Sequence, residues 1–279
     1  MLQGCTASRR ICTARDKERK MSDRRPQDLD IKQSVKDVFF TRNEYKLVTD
    51  YVIQDGRKHP FAVLVPGGGY SMVCSFIEGV PIARKLNAKG ISAFIVYYRV
   101  RKKAAFPNPM DDLARGVREI LKNADKYDID PEKYSIWGAS AGGHLVGSFG
   151  TDNMGYLKYG LPKPGALVLA YPVITLDPKY THMGTRNNLI GKNGSKEMEE
   201  MASIHKHVFP QYPDTYIWCG DADELVDPAN TKMMKEALDK SGVRSRCDIF
   251  PGVAHGVGPG TDTNAEGWID KAVDFWFNK

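Results

Sequence analysis

The chain has 279 residues, of which 42% are apolar and 27% charged, a composition typical of globular proteins and far from disordered, collagen-like or disulfide-rich chains. No stretch approaches the roughly 18 consecutive apolar residues of a membrane-spanning helix, so we expect no membrane span. The net charge of +6 is concentrated in residues 1–25, which hold eight basic and three acidic side chains, and the nearly neutral remainder argues against nucleic acid as a partner.

The N-terminal segment differs from the rest of the chain. Residues 1–25 are basic, poor in apolar side chains and without periodicity, which predicts a disordered extension ahead of one folded domain over residues 26–279. The five cysteines are odd in number and include no Cys-x-x-Cys pair, so we expect reduced thiols. No export signal is recognisable, which predicts a cytoplasmic protein and leaves secretion open.

Short β-branched or aromatic runs alternate with helical patterns from about residue 45 onward. This alternation is typical of an α/β fold, in which crossover helices join parallel strands. Strands are predicted over residues 45–53, 61–65, 91–98, 134–137, 166–170, 215–219 and 246–250. Helices are predicted over residues 78–88, 111–124, 143–149 and 265–277. Residues 172–214 have no strong pattern and are predicted to form a small cap-like insertion.

Gly138-x-Ser140-x-Gly142 fits the nucleophile-elbow pattern, in which glycines flank a serine because the turn from strand to helix is too tight for larger neighbours. The pattern alone also fits an ordinary Gly/Ser turn. A predicted strand directly before it and a predicted helix directly after it supply the context that the motif requires. The sequence therefore predicts Ser140 as a nucleophile.

A serine hydroxyl needs a general base, and six histidines compete for that role. His255 lies in a glycine-rich loop directly after the last predicted strand, where the chain order of nucleophile, acid and histidine puts the base. His144 follows the nucleophile too closely and is expected to pack within the elbow helix. His182, His205 and His207 lie in the insertion, where no carboxylate or cysteine accompanies the His-x-His pair at ligand spacing, so we expect no metal site.

The base in turn needs a carboxylate that orients it. The loop after the strand at 215–219 contains four carboxylates. Asp223 lies in a Gly-x-x-Asp-x-x-Val pattern shared by many serine hydrolases and is the preferred acid, with Asp221 as the alternative. Asp227 precedes a proline and is expected to cap the following helix.

Acyl transfer through a serine produces a negatively charged oxygen, which preorganised backbone N–H groups stabilise. Gly67-Gly68-Gly69 directly follows a predicted buried strand, and consecutive glycines allow the backbone to approach a substrate oxygen closely. We expect donors from Gly68, Gly69 and Ala141, the residue after the nucleophile. The loop lacks the Lys-Ser/Thr ending of a phosphate loop and the spacing of a dinucleotide fingerprint, and no cofactor is expected.

These motifs resemble those of the α/β-hydrolase esterases, and more narrowly the bacterial acetyl xylan esterase group that shares features with feruloyl esterases. The matching stretches are residues 65–70, 106–107, 111–115, 137–145, 171–174, 188–191 and 251–256. Proline stands at position 66, where lipase-like relatives carry a histidine before their glycines. The resemblance implies an α/β-hydrolase catalytic domain over residues 26–279, with a mostly parallel central sheet, helices on both faces and a small insertion after the sixth strand.

The resemblance also implies an activity. It indicates a serine carboxylesterase that hydrolyses short-acyl esters, chiefly acetyl esters, on carbohydrates or xylan-derived oligosaccharides through an acyl-enzyme, so that the expected partner is a small-molecule or oligosaccharide ester. The insertion over residues 172–214 is short and lacks a strongly apolar helix, unlike the lid of a true lipase. A feruloyl-type esterase and a serine peptidase or amidase of the same fold remain as alternatives.

Overall fold

Seven strands form one central sheet in residues 47–278, the part of the chain that the computed structural model describes. The strands are β1 (Val48–Tyr51), β2 (His59–Val65), β3 (Ser92–Val96), β4 (Ile129–Ala139), β5 (Ala166–Ala170), β6 (Thr215–Gly220) and β7 (Ser245–Phe250). Their order in the sheet is β1-β3-β2-β4-β5-β6-β7. Every neighbouring pair is parallel except β1 with β3, which confirms the predicted mostly parallel sheet.

Eight α-helices lie in the same described residues. They are α1 (Ser75–Glu78), α2 (Val80–Asn87), α3 (Asn108–Lys122), α4 (Ser140–Phe149), α5 (Met183–Ile190), α6 (Lys196–Ala202), α7 (Ala229–Lys240) and α8 (Trp268–Phe277). None of them is long and apolar enough to cross a membrane.

Both faces of the sheet are buried, which explains why the central strands read as continuous apolar runs. Successive side chains of a strand point to opposite faces, so Phe61 and Val63 belong to one apolar cluster and Ala62 and Leu64 to the other. The first cluster includes buried side chains of α3, α4 and α7, and the second includes those of α2 and α8. Helices therefore cover both faces, as predicted.

The helix predicted over residues 78–88 is confirmed as α2 (Val80–Asn87), and the short helix α1, which was not predicted, precedes it with Gly79 between the two. Pro81 lies in the first turn of α2, where its missing N–H costs nothing. In a helix continuing from α1 the same proline ring would clash with the carbonyl of Ile77. A proline therefore ends one helix and begins the next.

Several boundaries also differ from the prediction. β4 begins at Ile129 rather than at residue 134, because its first residue pairs with His59 across a register shift. The elbow helix α4 begins at Ser140 itself rather than at residue 143, and α8 begins at Trp268 rather than at residue 265. The insertion, which contains α5 and α6, leaves β5 and so follows the fifth described strand rather than the sixth.

The cysteines within the described residues, Cys74, Cys219 and Cys247, are free thiols, as predicted. Cys5 and Cys12 lie outside the described residues, as does the predicted extension over residues 1–25.

Candidate active site

The carboxyl ends of the parallel strands meet at one edge of the sheet, where ligands bind in open α/β folds. The loop after β2 carries the consecutive glycines, and β4 runs directly into Ser140. The loop after β6 carries Asp223, and the loop after β7 carries His255. The fold thus brings the three side chains predicted from sequence to the same edge.

Ser140 lies at a sharp turn between β4 and α4, and its φ of +54° is in the left-handed region that side chains other than glycine rarely adopt. A Cβ on Gly138 would lie 2.4 Å from the carbonyl oxygen of Gly142. A Cβ on Gly142 would lie 2.0 Å from the carbonyl oxygen of Val65. Both flanking positions therefore require glycine for steric reasons, and the turn has the geometry of a nucleophile elbow.

Ser140, His255 and Asp223 form one line of hydrogen bonds. Ser140 Oγ lies 2.8 Å from His255 Nε2, and His255 Nδ1 lies 2.7 Å from Asp223 Oδ2. Because an ionised carboxylate only accepts, Nδ1 carries the hydrogen and Nε2 is free to accept from the serine hydroxyl. The structure brings the predicted residues together in a geometry suited to proton transfer, and their catalytic roles stay predictions.

The side chain of Asp223 is fully buried, and its second oxygen is also held. Oδ1 accepts hydrogen bonds from the amides of Leu225 (3.0 Å) and Val226 (2.9 Å). These two bonds leave Oδ2 directed at the histidine. The carboxylate is therefore oriented on both sides.

The other carboxylates of this loop have different partners. Asp221 is exposed, and its Oδ1 accepts from the amide of Gly252 at 2.6 Å, which links the loops after β6 and β7. Asp227 accepts from the amide of Ala229, the first residue of α7, at 2.8 Å, but the N-cap of this helix is Pro228, so the predicted N-cap role of Asp227 is not confirmed. Asp223 rather than Asp221 is thus the carboxylate in contact with His255.

The loop of glycines after β2 packs directly on the nucleophile. A Cβ on Gly67 would lie 2.7 Å from the Cβ of Ser140. Gly68 and Gly69 have φ angles of +124° and +62°. Within residues 47–278, no hydrogen bond engages the amides of these two glycines. Ala141 is the second residue of α4, so its N–H is among the first four amides of a helix, which have no acceptor within it. The predicted donors are therefore available to a substrate oxygen.

Three side chains and one backbone amide from outside this loop hydrogen-bond to its peptide groups, and sequence reasoning missed these contacts. The Tyr98 hydroxyl donates to the carbonyl of residue 66 at 2.6 Å, and the Asn188 amide donates to the carbonyl of residue 69 at 2.8 Å. The amide of residue 67 donates to Glu78 Oε2 at 2.6 Å. The amide of Arg101 donates to the carbonyl of residue 70 at 2.7 Å. Of the residues that make these bonds, only Asn188 could have been found from the sequence, because it lies in residues 188–191, a stretch that resembles the family.

His182, which the sequence put in the patternless insertion, lies beside this loop. A Cβ on Gly69 would lie 3.3 Å from His182 Cε1. Nδ1 of His182 accepts from the amide of Thr185 at 3.3 Å, which makes the histidine the N-cap of α5. Burial lowers the pKa of His182, and the nearby charge of His255 lowers it further. By contrast, His144 is buried within the elbow helix, as predicted.

Several known proteins resemble this chain in sequence. The BD-FAE family matches residues 51–238. Endo-1,4-beta-xylanase B of Butyrivibrio fibrisolvens is 33% identical over 227 residues, which cover 78% of this chain and 35% of that protein. The acetylxylan esterase of Xylanibacter ruminicola is 32% identical over 205 residues, which cover 71% of this chain and 41% of that protein. The chain thus spans less than half the length of these curated relatives.

Solved structures show the same relationship. An acetyl ester-xyloside bifunctional hydrolase from Caldicellulosiruptor lactoaceticus has a TM-score of 0.74 at 32% identity, covering 82% of this chain and 86% of that one. A carboxylesterase from Lactobacillus plantarum has a TM-score of 0.69 at 22% identity, covering 82% and 90%, and supports the fold alone. The predicted fold and the predicted resemblance to the acetyl xylan esterase group are thereby confirmed. The chain belongs to the BD-FAE family of α/β hydrolases.

Proposed function

We propose that this chain is a serine carboxylesterase that hydrolyses short-acyl esters, chiefly acetyl esters, on carbohydrates or xylan-derived oligosaccharides. The observation that carries the proposal is the line of hydrogen bonds from Asp223 through His255 to Ser140, with the glycine loop packed against the serine. A nucleophile, a base, an orienting acid and N–H donors are the parts that acyl transfer through serine requires.

The first half of the reaction forms an acyl-enzyme. Ser140 Oγ attacks the carbonyl carbon of the ester while His255 Nε2 takes the hydroxyl proton, and the carbonyl electron pair moves onto its oxygen. The amides of Gly68, Gly69 and Ala141 donate to this oxyanion. When the intermediate collapses, the bond from the carbonyl carbon to the alcohol oxygen breaks. The departing alcohol takes the proton from His255 and leaves the acyl group on Ser140.

The second half releases the acid. Water loses a proton to His255 Nε2 and attacks the acyl carbon, and the same donors hold the second oxyanion. The bond between the acyl carbon and Ser140 Oγ then breaks, and the proton on Nε2 returns to the serine. Asp223 stays ionised throughout, keeps the hydrogen on Nδ1 and stabilises the imidazolium form of the histidine.

The substrate class rests on the relatives and on the insertion. The two curated relatives are named for xylan or acetylxylan, and the structural relative for an acetyl ester and a xyloside. The helices α5 and α6 of the insertion are eight and seven residues long. Helices this short do not form the large apolar lid that a long acyl chain would need, which favours small acyl groups on a polar alcohol.

A feruloyl-type esterase is the second candidate, and one observation favours it. Three large apolar side chains after the glycine loop are exposed, namely Met72, Phe76 and Ile77, with Phe76 65% exposed. Met72 lies against Gly68, and Ile77 lies against Gly258 of the loop that carries the histidine. An aromatic acyl group bound at this rim would bury apolar surface.

A panel of substrates tests the proposal. We expect the specificity constant to be highest on acetylated xylo-oligosaccharides or nitrophenyl acetate, lower on methyl ferulate, and negligible on peptide nitroanilides. A fluorophosphonate is expected to label the wild-type protein at Ser140. Ser140→Ala should abolish labelling and lower turnover by several orders of magnitude. Highest activity on methyl ferulate would favour the second candidate, and labelling at another serine would contradict the mechanism.

Ser148→Ala is the matched control for the nucleophile variant. Ser148 lies in the same helix, is 2% exposed, and its hydroxyl has no hydrogen-bond partner within the described residues. Its removal should leave both labelling and turnover unchanged.

A further inference from the structure

Glu78, the last residue of α1, is a buried carboxylate beside the proposed catalytic groups. Only 6% of its surface is exposed, and its hydrogen-bond partners among the described residues are the amide of Gly67 and the hydroxyl of Tyr171, both of them uncharged. Burying a carboxylate without a cationic partner is costly unless hydrogen bonds compensate. Both oxygens of Glu78 are therefore expected to accept hydrogen bonds.

The carboxylate of Glu78 joins two loops of the active site. Oε2 accepts from the amide of Gly67 at 2.6 Å, and Oε1 accepts from the Tyr171 hydroxyl at 3.0 Å. The Tyr171 oxygen in turn accepts from the amide of Gly258 at 3.1 Å. Hydrogen bonds thus run from the glycine loop to the loop that carries His255. The Tyr171 hydroxyl therefore donates its hydrogen to Glu78 and accepts a hydrogen bond from the amide of Gly258.

Tyr171 has a second contact with the site and a strained backbone. Its ring packs edge-on against the ring of His255, with 4.8 Å between the centroids. Its φ of +38° lies in the left-handed region, although Tyr171 is not a glycine. Strain of this kind persists where the surrounding structure imposes it and clusters at functional sites. The position directly after β5 is thus held in a costly conformation that brings the tyrosine onto the histidine.

We propose that Glu78 and Tyr171 are positioning residues that hold the oxyanion loop and the loop of His255 in a fixed arrangement on either side of Ser140. The inference rests on the proposed function, because it assigns these residues to the same site. With the amide of Gly67 bound to Glu78, the following peptides turn so that Gly68 and Gly69 present their N–H groups to the substrate. The same line of bonds keeps His255 at hydrogen-bond distance from the serine.

Glu78, both of whose oxygens accept hydrogen bonds, also interacts electrostatically with the histidine. The charged and titratable groups around His255 are Asp223, Glu78, His182 and Tyr171. Burial raises the pKa of Glu78, while the bonds from Gly67 and Tyr171 and the charge of His255 lower it. A nearby negative charge favours the imidazolium form. Neutralising Glu78 should therefore move the acid limb of the pH profile of kcat/KM to lower pH.

Two substitutions test the proposal, with one control. In Glu78→Gln the amide retains one accepting oxygen, so the Gly67 amide or the Tyr171 hydroxyl loses its acceptor. Tyr171→Phe removes the link to Gly258 and keeps the ring on His255. Tyr134→Phe is the matched control, since Tyr134 is a buried tyrosine like Tyr171. Its hydroxyl donates to the backbone carbonyl of Pro162. Tyr134 pairs with Phe61, at the end of β2 away from the site.

The measurements are kcat and KM on nitrophenyl acetate, the rate of fluorophosphonate labelling, the pH profile of kcat/KM, and the melting temperature. Displacing catalytic groups by about 1 Å costs on the order of 10²-fold in rate, so we expect Glu78→Gln to lose about 10²-fold in kcat with little change in KM. Labelling should slow in parallel, and the acid limb should move to lower pH. Tyr171→Phe is expected to lose about 10-fold in kcat with the acid limb unmoved, and Tyr134→Phe to match the wild type.

Several results would overturn the proposal. A folded Glu78→Gln protein with the kcat and acid limb of the wild type would do so, as would losses in KM alone. If Glu78→Gln does not fold, the test rests on Tyr171→Phe. The proposal is then rejected if Tyr171→Phe has the same kcat as the control Tyr134→Phe. A wild-type protein that neither hydrolyses esters nor reacts with the fluorophosphonate would refute the proposed function itself, whereas wild-type activity with unchanged variants refutes only this inference.

Discussion

Asp223→Asn tests the assignment of the acid most directly, because the surroundings of Asp223 dictate how an amide must sit. Oδ1 of the aspartate accepts from two backbone amides, at 3.0 Å from Leu225 and 2.9 Å from Val226. The carbonyl oxygen of an asparagine would keep these two bonds. Its NH₂ group would then face His255 Nδ1 at the position where Oδ2 now lies, 2.7 Å away.

This exchange reverses the hydrogen bonds of the histidine. Nδ1 would have to accept from the amide, so the ring hydrogen would move to Nε2 and point at Ser140. The histidine could then no longer take the serine proton. A wrong tautomer of this kind lowers kcat by about 10⁴-fold in the serine protease for which it is described, equivalent to about 5.4 kcal/mol of transition-state stabilisation. We expect a loss of that order here, with the fold intact because both backbone bonds survive.

The assay compares three asparagine variants by kcat on nitrophenyl acetate and by melting temperature. Asp221→Asn keeps an oxygen for the amide of Gly252, and Asp227→Asn keeps an oxygen for the amide of Ala229. Both should stay within about threefold of the wild type, since neither touches the histidine. Equal losses in all three variants would refute the reasoning, and a larger loss at Asp221 would move the role of the acid there.

Three further outcomes are expected. Rates on nitrophenyl esters should peak at acetyl or propionyl and fall steeply by octanoyl, since each methylene that stays unburied forfeits about 0.8 kcal/mol; a peak at octanoyl would contradict a small acyl pocket. Gly142→Ala should lower stability by about 3 kcal/mol in urea unfolding, because its Cβ would lie 2.0 Å from the carbonyl oxygen of Val65. Burial lowers the pKa of His144 from 6.5 to about 4. Between these two pH values the histidine is protonated in the unfolded chain but neutral in the folded chain, so the free energy of unfolding should fall as the pH drops from 6.5 towards 4. That loss is about 2 kcal/mol between pH 8 and pH 5, and it should disappear in His144→Gln; an equal loss in that variant would exclude the histidine as its source.

The parts of the fold that could be predicted are those with a local steric or periodic cause. The buried strands were visible because both faces of the sheet are covered, and most predicted strand positions lie within a few residues of those in the structure. The helix predicted over residues 78–88 begins at Val80, and α1 was not predicted because four residues are too few to show a helical period. No sequence pattern indicated that β1 pairs antiparallel with β3, because the direction of a strand depends on how the chain crosses the sheet and not on its own residues.

The residues of the candidate site can likewise be separated into those that are recognisable in the sequence and those that are visible only in the folded chain. The glycines around Ser140 and the glycines after β2 could be recognised because the conformations and close approaches they allow exclude other residues. His255 could be inferred from its position after the last strand. The choice among the carboxylates rested on a motif and left Asp221 open, and the contact with Asp223 is visible only in the folded chain.

The elbow, the glycine loop and the order of strands and helices can be recognised in the amino-acid sequence, because tight turns and buried strands depend on residues that are neighbours in the chain. The positions of Glu78 between Gly67 and Tyr171, and of His182 beside Gly69, are visible only in the folded chain. Tyr171 is 93 residues from Glu78, and no local pattern encodes a contact over that separation. Such contacts arise because parallel strands align their carboxyl ends at one edge of the sheet, where loops distant in the sequence meet.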